Sequence, residues 1–339
     1  MTGLGQRMER RQVPLYLEAI AVGAVMGWLV PAVAPALAVS ITPVLGLLLF
    51  ATFLGIPLGD VGRSVRDLRF LGSVLVVNFV IVPAVVFALS RFVAGDRALL
   101  LGVLLVLLTP CVDYVIVFTG LAGGARERLL AATPLLMLLQ IVLLPLYLLL
   151  FAGPDAVALI EVGPFLEAFL LLIVLPLAAA AAVQTLARRA SAAPDARGAR
   201  TGRTVLAIEA TMQVLMVPLM MLTLAVVVGS QIAAVGAQAV DLVAVVPLYV
   251  VFLIVMVAVG IGVARLARLH APAARALVFS GVTRNSLVVL PLALALPASL
   301  ALAPLAVVTQ TLVELVGMVI LVRVLPKLLP ETERAWRRS

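Results

Sequence analysis

The chain has one cysteine and one histidine in 339 residues, and only 12% of its residues are charged. A single cysteine excludes an intrachain disulfide and every two-cysteine metal motif, so cysteine usage says nothing of the redox compartment. The single histidine, His270, lies in a loop with Arg265, Arg268 and Arg275 around it, which argues against a catalytic histidine or a histidine metal site. No Walker loop, dinucleotide fingerprint or zinc-protease motif occurs, and no cofactor is expected. What the chain does have is apolar residues, 64% of it. A soluble domain of this size would aggregate at that composition, so the chain reads as an all-α integral membrane protein. Its net charge of +8 then bears on orientation in a bilayer rather than on nucleic acid. The partners expected are membrane lipid and a small solute.

Arg7, Arg10 and Arg11 precede an apolar run from Pro14 that is too long for the core of a signal peptide, and it is read as a retained first span. Apolar runs bounded by charges or by Gly and Pro clusters place ten transmembrane helices near 14–35, 41–59, 70–92, 98–123, 129–152, 163–185, 205–229, 240–264, 273–297 and 301–325. Of 24 Lys and Arg residues, 21 fall at the chain ends or in even-numbered loops. Only Arg91 and Arg97 lie in odd loops, and Arg284 is left inside the ninth span. Both termini are therefore expected in the cytoplasm, with the protein multi-pass in the plasma membrane. The long loop from Arg188 to Arg203 separates five spans from five, and an odd number on each side gives the halves opposite topology, as an inverted repeat requires. The expected organisation is a first five-helix repeat over 1–187 that takes in the start of span six, a second inverted repeat over 163–325, a cytoplasmic linker over 188–204 and a basic cytoplasmic tail over 326–339, all in one membrane domain.

The fourth span is interrupted by Thr109-Pro110-Cys111-Val112-Asp113. Pro110 lacks an N–H and frees a carbonyl four residues earlier, which in lipid needs another partner. Asp113 adds about 2.5–3.5 kcal/mol of insertion cost, so it should face protein, water or solute. The ninth span has a polar break at the corresponding place, Ser280-Gly281-Val282-Thr283-Arg284-Asn285-Ser286. Asp113 and Arg284 would offset each other if the two helices cross, either as part of a solute site with Thr283, Asn285 and Ser286 or as a structural ion pair. Cys111 is either a small apolar filler or a soft ligand for a thiophilic solute. Glu314, deep in span ten, is a proton-relay candidate or a hydrogen-bond partner of a neighbouring helix. Asn78 and Gln140 join Pro110 as supporting positions, since side-chain amides tie membrane helices together.

At these residues the chain resembles the bile acid/sodium symporter superfamily, and within it the arsenical-resistance branch of arsenite efflux permeases. The likeness rests on Leu108-Thr109-Pro110-Cys111 followed by Phe118-Thr119-Gly120-Leu121-Ala122, on Asn78 with Pro83, and on Leu312-Val313-Glu314 with Leu321-Val322-Arg323. The resemblance implies two inverted five-helix repeats with spans four and nine broken and crossing at the substrate site. It implies that Cys111 contacts arsenite and that Glu314 fills an acidic position of span ten. The ninth span departs from the pattern: Ser286 stands where arsenite permeases have an acidic residue, and Ser280 and Arg284 stand where sodium-coupled relatives have Glu and Gln. A cation entering there would meet Arg284.

These readings converge on a secondary transporter rather than an enzyme, since one thiol without a histidine at its depth makes poor nucleophilic machinery. The expected solute is arsenite, its export driven by an ion gradient with a proton moving inward through Asp113 or Glu314. The alternative is an organic anion, a carboxylate or sulfonate, drawn to Arg284 and the half-helix N-termini. A scaffold or sensor that transports nothing is the third class.

Overall fold

The structure is a computed structural model that describes residues 12–55, 67–112, 114–153, 163, 167, 170–192 and 196–330. In chain order the helices are α1 (Gln12–Leu29), α2 (Ala34–Gly55), α3 (Leu68–Val76), α4 (Val82–Ser90), α5 (Arg97–Leu107), α6 (Tyr114–Leu121), α7 (Arg126–Ala152), α8 (Leu175–Ala192), α9 (Ala196–Ala237), α10 (Ala239–Leu242), α11 (Val245–Leu266), α12 (Ala271–Val282), α13 (Ser286–Leu294) and α14 (Leu302–Leu328). Helix occupies most of the described residues of the expected spans, and is interrupted at 108–112 in the fourth and at 283–285 in the ninth. Six helices, rather than ten, are by themselves long and apolar enough to cross a membrane among the described residues. Arg97–Leu107 and Ala271–Val282 fall short because each is half of an interrupted segment.

Contacts divide the chain into two units, and each draws on both halves of the sequence. The first comprises residues 1–58 and 162–239, with α1, α2, α8 and α9. Here α9 packs along α1 and α2. A Cβ at Gly23 would overlap Ala225 O and one at Gly27 would overlap Gly229 O, so the backbones approach as closely as small residues allow in membrane helix pairs. Gln184 Nε2 donates to Phe53 O at 3.3 Å and Leu54 O at 3.1 Å, satisfying carbonyls at the end of α2. The expected linker over 188–204 is helical wherever it is described, because Ala and Arg are strong helix formers.

The second unit comprises residues 59–161 and 240–339. Asp67 caps α3 by accepting from Phe70 N at 3.2 Å, and also pairs with Arg128. Between α3 and α4 the helix widens into a π-turn at Val77–Ile81. Pro83 cannot donate to Phe79 O, four residues back, and the Tyr147 hydroxyl takes that place at 2.7 Å. α14 packs against α5, α11 and α13, with Gly102 set against Ala303, where a Cβ would come 2.6 Å from the carbonyl oxygen. Every residue from Ala98 to Leu107, from Ala273 to Val282 and from Ser286 to Ala293 is buried, so these short helices form the centre of the unit. Arg275 locks one end of it by donating to Ala122 O at 3.2 Å, Gly123 O at 3.0 Å and Leu329 O at 2.9 Å. Gly123 has φ +65, and a Cβ there would meet the guanidinium at 2.7 Å.

Candidate functional site

Two interrupted segments, α5–α6 and α12–α13, meet at their breaks. Pro110 and Arg284 sit opposite each other in an antiparallel bridge. Asn285 N donates to Thr109 O at 2.9 Å and Cys111 N donates to Thr283 O at 3.3 Å, so each broken strand satisfies a donor and an acceptor of the other. The helix ends on the two sides are closed alike. Thr109 Oγ1 donates to Leu105 O at 2.8 Å, and Thr283 Oγ1 donates to Phe279 O at 2.7 Å. The carbonyl that Pro110 leaves without its usual donor, Val106 O, accepts from Thr109 N at 3.4 Å.

Arg284 is fully buried. Its Nη2 lies 2.6 Å from Ser280 O, 2.9 Å from Gly281 O and 2.9 Å from Asn78 Oδ1, and its Nη1 lies 3.4 Å from Leu107 O. Asn78 also donates to Ser280 Oγ and to Val74 O, each at 2.9 Å, which fixes its amide. Among the described residues no carboxylate oxygen lies within ion-pair distance of the guanidinium. Asp113, the expected partner, is outside the described residues.

Glu314 comes to the same place from α14 and acts as an acceptor on both oxygens. Oε2 accepts from Arg284 N at 2.8 Å and from Gln310 Nε2, one turn earlier. Oε1 lies 2.6 Å from the Tyr114 hydroxyl, which is also 2.9 Å from Arg284 O. The crossing therefore gathers Asn78, Pro110, Cys111, Thr283, Arg284, Asn285 and Glu314, and it adds Tyr114 and Gln310, which the sequence reading did not single out. Tyr114 opens α6 at the head of an apolar run, so it reads as core; its one signal was its place four residues after Pro110. Ser286 is buried as the first residue of α13, and Asn285 caps that helix by accepting from Val288 N at 3.3 Å. Gln140 is buried in α7 with its Oε1 unpartnered, and none of the contacts described here reaches it. Arg284 Nε, Asn285 Nδ2 and Gln310 Oε1 are likewise buried without a hydrogen-bond partner. Most buried polar atoms of protein interiors do have a partner, so these three set the crossing apart from an ordinary helix contact.

His270 stands apart from this cluster, capping α12 by accepting from Ala273 N at 3.4 Å. Burial and the nearby Arg128 push the imidazole below its usual range, and Asp67 partly opposes this.

Residues 42–196, a little under half of the chain, match the family model described as the Sodium Bile acid symporter family. No curated protein matches the chain. The matched stretch contains Asn78, the Thr109-Pro110-Cys111 break and Gln140, and it stops short of Thr283, Arg284 and Glu314. It thus supports the resemblance at the level of the superfamily. Apolar helices of membrane-crossing length and a match to a transporter family support a multi-pass membrane protein that carries a small solute.

Proposed function

We propose that this chain is a secondary transporter of ten membrane-spanning helices in two inverted five-helix repeats, with both termini in the cytoplasm and its solute site at the crossing of α5–α6 with α12–α13. One observation carries the reading: two mutually bonded helix breaks bring the buried Arg284, Glu314, Asn78, Asn285 and Gln310 together in an otherwise largely apolar unit. Broken helices with unwound backbone at mid-membrane are the recurrent solute site of secondary transporters.

The same geometry bears on the solute. The terminal nitrogens of Arg284 are engaged by oxygens and Glu314 is engaged by three donors, so neither charge is left to hold an ion of its own. A small neutral hydroxylated solute suits such a site, and the Cys111 thiol adds softness that favours trivalent arsenic. Arsenite efflux is therefore the substrate reading we adopt, with one thiol giving weak attachment compatible with release. The second reading, an organic anion, draws on the two free donors Arg284 Nε and Asn285 Nδ2. The family description names sodium and bile acid; a proton passing through Asp113 or Glu314 is the coupling we favour, because Arg284 stands in the way of a second cation.

The experiment is arsenite accumulation in cells that lack their own exporters. Lower accumulation with the parent chain, and not with Cys111→Ser, is expected. Equal accumulation with the parent and with empty cells overturns arsenite as substrate. Taurocholate or another organic anion then becomes the solute to assay.

A further inference from the structure

Three oxygens converge on one nitrogen of Arg284: Ser280 O at 2.6 Å, and Gly281 O and Asn78 Oδ1 at 2.9 Å each. Nη2 carries two hydrogens, so acceptors outnumber the protons available to them. A fourth oxygen, Leu107 O, lies 3.4 Å from Nη1. Three of the four are main-chain carbonyls at the C-terminal ends of α5 and α12, where the helix macrodipole places negative partial charge. The Phe252 ring, 5.7 Å from Cζ, closes another side with its electron-rich face. Such a donor set satisfies positive charge rather than any particular pattern of N–H bonds: carbonyl and amide oxygens around a dry centre are the ligands of a hard monovalent cation.

We propose that Arg284 is a built-in cation, its guanidinium filling an oxygen cage that would otherwise take a free alkali ion, so that the crossing assembles without one. The consequence for transport, that no sodium occupies this cage during turnover, rests on the transporter reading. The cage itself does not, and its test reads stability.

The purified full chain in detergent is unfolded thermally in sodium, potassium and choline chloride at equal ionic strength. The wild type and Arg284→Lys, which keeps the charge, are expected to unfold at the same temperature in all three salts. Arg284→Ala is expected to unfold lower in choline and to regain about 2–4 °C in sodium, potassium or dilute guanidinium, as a ligand that binds only the folded state would produce. A wild type stabilised by sodium or potassium over choline would overturn the proposal, as would an alanine variant indifferent to all the cations. Should Arg284→Ala give no folded protein in choline, it is prepared in sodium and in dilute guanidinium. Recovery only in the presence of those cations supports the proposal, and no recovery in any of them overturns it. Loss of arsenite transport leaves this result untouched, so the two readings fail separately.

Discussion

The two arms of the crossing interrupt their helices by opposite means. In α5–α6 a donor is subtracted: Pro110 has no N–H, and the carbonyls it leaves behind are taken by neighbours within the same arm, chiefly Thr109. In α12–α13 a charge is added. Arg284 keeps its N–H but gives it to Glu314, while its side chain covers the carbonyls of Ser280 and Gly281. The two arms lean on each other through the Asn285–Thr109 and Cys111–Thr283 backbone bonds, but the arginine arm depends further on α14 for Glu314 and on the π-turn for Asn78. Substitutions of those added partners should therefore weaken the arginine arm more than the proline arm.

The comparison is tested most severely by Glu314→Ala, which strips the acceptor from Arg284 N and Tyr114 and leaves a buried guanidinium less compensated. A loss of about 3–5 kcal/mol is expected in chemical unfolding, the range for breaking a buried charged network. A loss below about 1 kcal/mol would mean that the arginine arm draws little support from α14. Tyr114→Phe removes one hydrogen bond to a carboxylate and should cost about 1.5–3 kcal/mol in the same measurement. Thr109→Val and Thr283→Val delete the matched hydroxyl bonds, and each should cost about 0.5–1.5 kcal/mol. Markedly unequal values would show that the two helix ends, alike in geometry, are not alike in energy.

The smallest effect is expected away from the crossing, at His270. Its proton affinity is lower in the folded chain than in the unfolded one. Its contribution is thus complete above the ordinary imidazole value of about 6.5 and is lost as pH falls below it. His270→Ala should flatten that part of the stability profile, and a profile unchanged by the substitution would remove the cap from the account.

Both breaks were legible in the sequence because proline and a run of polar residues are visible where a span should be uniformly apolar. The bonding of Arg284 was not. A buried arginine invites a search for a carboxylate, and the one expected, Asp113, lies outside the described residues; the carbonyl oxygens at helix ends that the guanidinium does meet carry no side-chain signal and leave no mark in a sequence. Tyr114 was passed over for a related reason, since an aromatic residue at the head of an apolar run serves as packing until a partner such as Glu314 arrives from 200 residues away. The all-helical, apolar character of the chain followed from hydropathy, but the sorting of its helices into two units depends on close approaches such as Gly23 to Ala225 and Gly102 to Ala303, which periodicity does not encode. The Arg188 to Arg203 stretch was read as a loop from its charges, although its alanines favour the helix found at its described residues, 188–192 and 196–203.

The paired backbone bonds across Pro110 and Arg284 have a mechanical meaning. Separating the two broken strands would expose four main-chain groups where no water waits to receive them, so the crossing behaves as a rivet rather than a hinge. Any rearrangement within the unit of residues 59–161 and 240–339 is therefore expected to bend the chain away from that rivet.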